Sequence, residues 1–386
     1  MIVGIGNGGC NTAQAIARQW PNGPRIVGVN TDERALSELE TIESIPIGKK
    51  LLKGLGTGGD PRVARQAAES DIETLRPLFD GIDFAIFIVG LGGGTGSGVA
   101  PFLIEEAKKA GVLTLCFVML PFEFEGPRRK GQAERGLQAI RSSADGVICL
   151  PSQRLLALLE DKANIREAFR RTETMLATGI QEFWRVLDRS SMINFGFADL
   201  RAFLQNSNGN CIFCCSEGSG EQKIETVLDG IKRHVLFNNC QTLDNADAFV
   251  ICIIGGADLS IGDVNRTVEG VLALGHKDVL VMTGVGCEPE WRDKIHVTIL
   301  AAEKSLPAAR HAATGAEHAR QDFMKTPSQE HSESGQPDLV QTGLFDAVEQ
   351  GRFKGVSPTI VDGSNLDIPT FIRRRIPVQK AKIANI

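Results

Sequence analysis

Residues 90–98 read "GLGGGTGSG": six glycines, one Thr and one Ser in nine positions, directly after the apolar run "IDFAIFIV". Such a stretch is either a flexible linker or a backbone that something must approach closely. A strand, a glycine-rich turn and a helical pattern in that order favour the second reading. Successive backbone N–H groups in a Gly-rich turn form a nest for an anion, and the start of the next helix adds favourable partial charge. Thr95 and Ser97 would add hydroxyl donors.

A second loop of the same kind lies at the start of the chain. "GIGNGGCN", residues 4–11, also falls between an apolar run and a helical pattern. One glycine loop can be turn chemistry. Two, both at strand-to-helix joints, point to a phosphate site. Neither contains GxxxxGK[ST], so neither is a Walker-type P-loop. Gly4-x-Gly6-x-x-Gly9 matches the dinucleotide fingerprint, with Asp32 placed for a ribose contact. A dinucleotide-dependent oxidoreductase is therefore the rival reading. It leaves the denser second loop unexplained.

Working outward, residues 1 to about 150 alternate short apolar runs with amphipathic ones. "MIVGIG", "RIVGVN", "DFAIFIVG", "GVLTLCFVML" and "DGVICLP" predict buried parallel strands. "CNTAQAIARQW", "DPRVARQAAESDIETLRPLF", "GVAPFLIEEAKKA" and "GQAERGLQAIRSS" predict helices between them. The alternation predicts a doubly wound α/β sheet, whose ligands sit at the carboxyl ends of the strands. One uninterrupted helical pattern follows over about 164–190, long enough to be a spine. Four more apolar runs between about 208 and 303 predict a smaller C-terminal α/β domain. Residues about 304–364 are polar and lack apolar periodicity, which predicts a disordered linker. The end of the chain, "LDIPTFIRRRIP", regains apolar residues beside three arginines.

Composition narrows the classes. The chain has 386 residues, net charge -5, no Tyr and three Trp. That argues against a nucleic-acid binder and against an aromatic platform for single strands. Nine scattered Cys read as reduced thiols of a cytoplasmic protein. The CxxC in "CIFCC" lacks a second pair, so no metal site is expected there. No apolar run reaches the ~20 residues of a spanning helix, so no transmembrane segment is expected.

At "GGGTGSG" the chain resembles the tubulin/FtsZ superfamily, and the resemblance continues in order through "GIGNGGCN", "GVNTDERAL", "KGLGTGGDP", "PFEFEGPRRKGQAERG", "LPSQRLL" and "NFGFADL". The tail "LDIPTFIRRR" is similar to the C-terminal recognition peptide of the FtsZ branch. The resemblance implies five segments: a GTP-binding domain (1–163), a central helix (164–190), a C-terminal polymerisation domain (191–303), a linker (304–364) and a partner-binding peptide (365–377). It implies GTP or GDP as ligand, with Mg²⁺ accompanying the triphosphate. By position, Asn7, Gly8, Gly9, Cys10 and Asn11, with Gly92, Gly93, Gly94, Thr95 and Gly96, would hold the phosphates. Glu125 and Arg129 would hold the ribose and nearby groups, and Phe169 would stack on the base. Glu173 stands where the family usually has Asp or Asn. Its carboxylate would still accept from guanine N1–H and N2–H₂ together.

The resemblance also implies head-to-tail assembly, with the "NFGFADL" loop entering the neighbour's site. There Asn194 and Asp199 would position the attacking water. The loop's first family aspartate is Gly196 here: if two aspartates share the work, this predicts slow hydrolysis, or a paralogue that co-assembles and hydrolyses slowly or not at all; if Asp199 does most of it, little is lost. Other departures are Asn7 and Cys10 for glycines, and Ser152 for Asn. Leu366, Asp367, Ile368, Pro369, Phe371 and Arg373 would bind membrane-tethering division proteins, placing the protein at midcell.

Overall fold

The computed structural model describes residues 1–156, 165–187, 192–206, 210–234, 246–275, 279–288, 291–303, 360–361 and 364–365. Ten strands of the first 303 residues form a single sheet: β1 (Ile2–Ile5), β2 (Ile26–Asn30), β3 (Glu43–Pro46), β4 (Phe84–Gly90), β5 (Leu113–Leu120), β6 (Gly146–Pro151), β7 (Asn210–Ser219), β8 (Ala246–Gly255), β9 (Leu280–Cys287) and β10 (Lys294–Glu303). Their order is β3-β2-β1-β4-β5-β6-β7-β10-β8-β9. The first six are parallel. Strand order reverses between β1 and β4, and the crevice outside their carboxyl ends is where such sheets bind ligands. Both glycine loops leave from there.

The apolar runs become strands because both faces of the sheet are covered. Ile2, Ile86, Leu115 and Ile148 face one core, and their neighbours Val3, Phe87, Cys116 and Val147 face the other. Helix Gly6–Gln19 packs Ala13 and Ile16 on the first face; helices Pro61–Ser70 and Gly94–Lys109 cover the second. The strands of the C-terminal half join the same sheet, because β7 pairs parallel with β6 at Val147↔Asn210 and Ile148↔Cys211. Beyond it, β10 runs antiparallel to both β7 and β8. Helices Lys223–Lys232 and Ile261–Leu272 cover a third core around Phe249, Ile251 and Val297.

Helix Ile165–Leu187 ties the halves together. Its Leu176, Ala177, Ile180, Phe183 and Val186 share one core with β1, β4 and β5 on one side and β8 and β10 on the other. Trp184 packs against Phe84 of β4 with ring centroids 5.5 Å apart and the ring planes tilted by 31°. β3 is a strand that the apolar pattern missed: only Ile45 of its four residues is buried, because it lies at the sheet edge.

All described cysteines are free thiols, most of them buried; Cys287 is exposed. No described helix is long and apolar enough to cross a membrane. At the boundary between the stretch read as linker (304–364) and the stretch read as peptide (365–377), Ile360–Val361 pairs antiparallel with Ser364–Asn365. The rest of 304–364 and the peptide residues Leu366 to Arg373 lie outside the described residues.

Candidate functional site

The two glycine loops press against each other at the β1/β4 switch point. A Cβ on Gly90 would lie 3.5 Å from Gly8 Cα, and one on Gly6 3.2 Å from Gly96 N. Several glycines are dictated by the protein's own packing. A Cβ on Gly96 would meet Gly90 O at 2.0 Å, one on Gly94 would meet Thr57 Oγ1 at 2.0 Å, and one on Gly9 would meet Ile88 O at 2.2 Å. Gly93 is different: nothing lies within 4 Å of its Cβ position, which opens on a cavity.

That cavity measures about 620 Å³, ample for a nucleotide-sized ligand. Two helix N-termini form its floor. Helix Gly6–Gln19 starts after Ile5 and helix Gly94–Lys109 after Gly93; neither has a side-chain cap or an acidic residue in its first turn. The leading N–H groups of a helix have no partner inside it. Two uncapped ends aimed at one cleft make an anion site, each end contributing roughly 0.3–1 kcal/mol toward a negative group.

Of the sequence-predicted residues, Asn7, Gly8, Gly93, Gly94, Thr95, Gly96, Glu125, Arg129 and Glu173 line this cavity. Glu125 forms an ion pair with Arg129 and accepts the Phe122 N–H at 2.8 Å. Glu173, on helix Ile165–Leu187, is partly buried, and desolvation raises its pKa above the ordinary carboxylate value. Phe169 belongs to the same helix, but its side chain lies outside the described residues.

Gly9, Cys10, Asn11 and Gly92 are not in the cavity wall. Cys10 is buried, and its Sγ donates to Gly4 O at 3.5 Å and Val29 O at 3.6 Å; burial pushes its thiol up to about 12. Ser97 does not line the cavity either. It is buried, and its Oγ accepts the Gly92 N–H at 3.0 Å, bracing the loop from beneath.

The sequence reading passed over several wall residues: Thr12, Asn30, Thr31, Leu55–Gly59, Met119–Phe122 and Phe124. The "GLGTGG" run in the loop before helix Pro61–Ser70 was itself a signal for a further lip of backbone. Asp32 reaches the wall, but its Oδ1 accepts from Arg34 N at 2.9 Å and Ala35 N at 3.3 Å, capping the helix Glu33–Ser37. The carboxylate that the dinucleotide reading assigned to a ribose is engaged in capping.

Asn194 and Asp199 lie elsewhere. Both are exposed and neither lines the cavity. Asp199 Oδ2 accepts the Gly196 N–H at 2.9 Å, fixing the start of helix Phe197–Asn206. The neighbouring Ile193 is bridged to Val285 of β9. At ~1.5 Å per residue, helix Ile165–Leu187 carries the chain about 21 Å from Glu173 to Leu187 before this loop begins. Exposed Met192, Ile193 and Phe197 surround the loop with apolar surface.

Fold and cleft together define a phosphate-binding α/β protein. Residues 1–160 match the GTPase domain of the Tubulin/FtsZ family. Over nearly its whole length the chain is similar to cell division protein FtsZ of Pseudomonas aeruginosa (30% identical, covering 97% of this chain and 96% of the relative) and of Pseudomonas putida (29%, 97% and 96%). An FtsZ dimer structure from M. jannaschii superposes with a TM-score of 0.71 at 27% identity, over 78% of this chain and 86% of that one. A GTPγS-bound CetZ2 protofilament from Haloferax volcanii shares the fold, with a TM-score of 0.64 at 21% identity over 83% and 97%. The chain belongs to the FtsZ family and carries its GTPase domain.

Proposed function

We propose that this chain binds GTP and GDP in the cleft between its two glycine loops, assembles head to tail, and hydrolyses GTP at the contact between subunits during bacterial-type division. One observation carries the reading: two uncapped helix N-termini meet in one cavity whose wall also holds a partly buried carboxylate, Glu173. The ends suit phosphates, and the carboxylate suits the paired N1–H and N2–H₂ donors of guanine, which adenine lacks. Asn7, Gly8 and Gly93 to Gly96 surround the phosphates, Glu125 and Arg129 supply the ribose contacts, and Phe169 the base stack.

Water activation needs polar groups near the terminal phosphate. Asn194 and Asp199 are the candidates, yet they sit a helix length from Glu173 on the same chain. A second subunit bringing its loop to the first subunit's cavity resolves this, and such a heterologous contact propagates into a filament. The described residues hold no cluster of three acidic, His or Cys side chains suited to a metal cage. Mg²⁺ would accordingly be held mainly by the triphosphate, as that ion usually is, with the Thr31 and Thr95 hydroxyls as the nearby protein oxygens.

Gly196 favours a second reading of the same site: a family member that assembles with GTP but turns it over slowly. In either case residues 1–163, 164–190 and 191–303 serve as nucleotide domain, central helix and polymerisation domain. The segment 304–364 tethers the 365–377 peptide, which engages membrane-tethering division proteins at midcell from the cytoplasmic side.

Competition against a fluorescent GTP analogue tests the binding claim. GTP and GDP displace it, while ATP and NAD⁺ do not. Displacement by NAD⁺ with indifference to GTP would return the site to the dinucleotide reading.

A further inference from the structure

Of the three residues that the loop Gly4–Asn11 contributes to the cavity wall, Gly6, Asn7 and Gly8, only Asn7 has a side chain. That side chain is exposed, at the second position of an uncapped helix. Its amide has a defined orientation, set by Asn30 at the end of β2.

Asn30 is buried, and one of its amide atoms receives two backbone N–H groups, Thr31 N at 2.8 Å and Asp32 N at 3.3 Å. A backbone N–H only donates, so that atom is the oxygen, and the other is the NH₂ nitrogen. Asn30 Nδ2 lies 2.7 Å from Asn7. The Asn7 atom it meets must accept, so it is Oδ1. The Asn7 NH₂ group is thereby turned away from Asn30. The same strand end carries Thr31, whose hydroxyl lies 2.7 Å from that of Thr95 on the other glycine loop. One hydroxyl donates to the other, which leaves the second proton for another acceptor.

We propose that Asn7 is a phosphate-binding side chain, held as a donor toward the ligand by Asn30, which acts as a positioning residue. The ligand class is a phosphorylated nucleoside, and the inference rests on the nucleotide reading above. It adds to backbone cradling a side-chain hook whose donor sense is set by its hydrogen bond from Asn30.

The test measures affinities of the full-length chain for GTP, GDP and guanosine by competition against a fluorescent GTP analogue. Hydrogen bonds to charged groups are strong enough that losing one costs about tenfold or more in affinity. N7G is expected to weaken GTP and GDP by at least that factor and to leave guanosine, which has no phosphate, unchanged. N7D keeps the acceptor for Asn30 but turns an anion toward the ligand, so it weakens both nucleotides further than N7G.

N30D tests the positioning role. A carboxylate there still receives the two backbone N–H groups but has no donor for Asn7. The Asn7 amide then flips, presenting its oxygen to the phosphates, and GTP affinity falls. In an N7G background that loss disappears. A loss that persists without the Asn7 side chain would be a charge effect and would overturn the positioning role. N7G and N7D binding GTP as the wild type does, or an equal loss for guanosine, would overturn the proposal while leaving the nucleotide reading intact. A wild-type chain that binds none of the three compounds would overturn that reading itself.

Discussion

Restoring an aspartate at Gly196 separates what the loop does for the fold from what it does for chemistry. A Cβ built on Gly196 comes no closer than 3.6 Å to Asp199 Oδ2 and 3.9 Å to Ala198 N, which is ordinary contact. Its φ lies outside the left-handed region, so an L side chain fits the backbone as it stands. Reducing the freedom of the unfolded chain stabilises by about 0.4–1 kcal/mol. Two carboxylates ~5 Å apart in water repel by about 0.8 kcal/mol. These nearly cancel, so G196D should melt within a few degrees of the parent. Turnover should not stay level. Positioned acid–base groups contribute roughly 10²- to 10⁴-fold; with Asn194 and Asp199 already present, we expect the variant to release phosphate at least ~10-fold faster per subunit. The assay is steady-state phosphate release at saturating GTP, at a protein concentration where scattering reports assembly. A folded variant that assembles and turns over at the parental rate would refute the assignment of slow hydrolysis to Gly196.

Three further outcomes follow from the same geometry. Glu182 is buried, and desolvation, together with Glu288 and Glu217, raises its pKa from 4.5 to about 7 against the opposing pull of Arg185. The folded chain therefore keeps a proton that the unfolded chain releases, and stability falls as pH climbs from about 4.5 to about 7, by about 3 kcal/mol. E182Q should gain stability at pH 8 and little at pH 5 in urea unfolding; equal effects at both would contradict this. G96A forces a methyl against Gly90 O and should cost about 1–3 kcal/mol or more, whereas G93A, in open space, should leave the melt unchanged and weaken GTP binding; the reverse pattern would mean the ligand does not approach Gly93. E173Q keeps the size of the side chain but loses one acceptor, so the preference for GTP over ATP should drop about tenfold or more in competition binding; an undiminished preference would remove Glu173 from base recognition.

The parallel strands were legible because each is a short apolar run buried on both faces, and the glycine loops because no other residue tolerates backbone contact at 2.0 Å. What the glycines were for was only half legible. The protein's own packing already forbids a side chain at Gly94, against Thr57, and at Gly96, against Gly90 O, whether or not a ligand lies beside them, and local sequence does not state that a distant Thr57 presses on the loop. β3 escaped because an edge strand buries one residue in four and so has no run to see. The union of both halves into one sheet rests on two residue pairs between β6 and β7, a contact across some sixty positions of chain. Asn30 and Thr31 went unread as site residues because their role lies in hydrogen bonds to Asn7 and Thr95, between segments far apart in sequence.

On the proposed function, the cavity is one half of a site, and the loop bearing Asn194 and Asp199 supplies the other half from a neighbouring subunit. Phosphate release from GTP, followed across protein concentrations with light scattering recorded alongside, tests it most directly. Specific activity should be near zero below a threshold concentration and rise with scattering above it. A specific activity that is constant with dilution, in the absence of scattering, would mean that one chain completes the site alone and that no neighbouring subunit is needed.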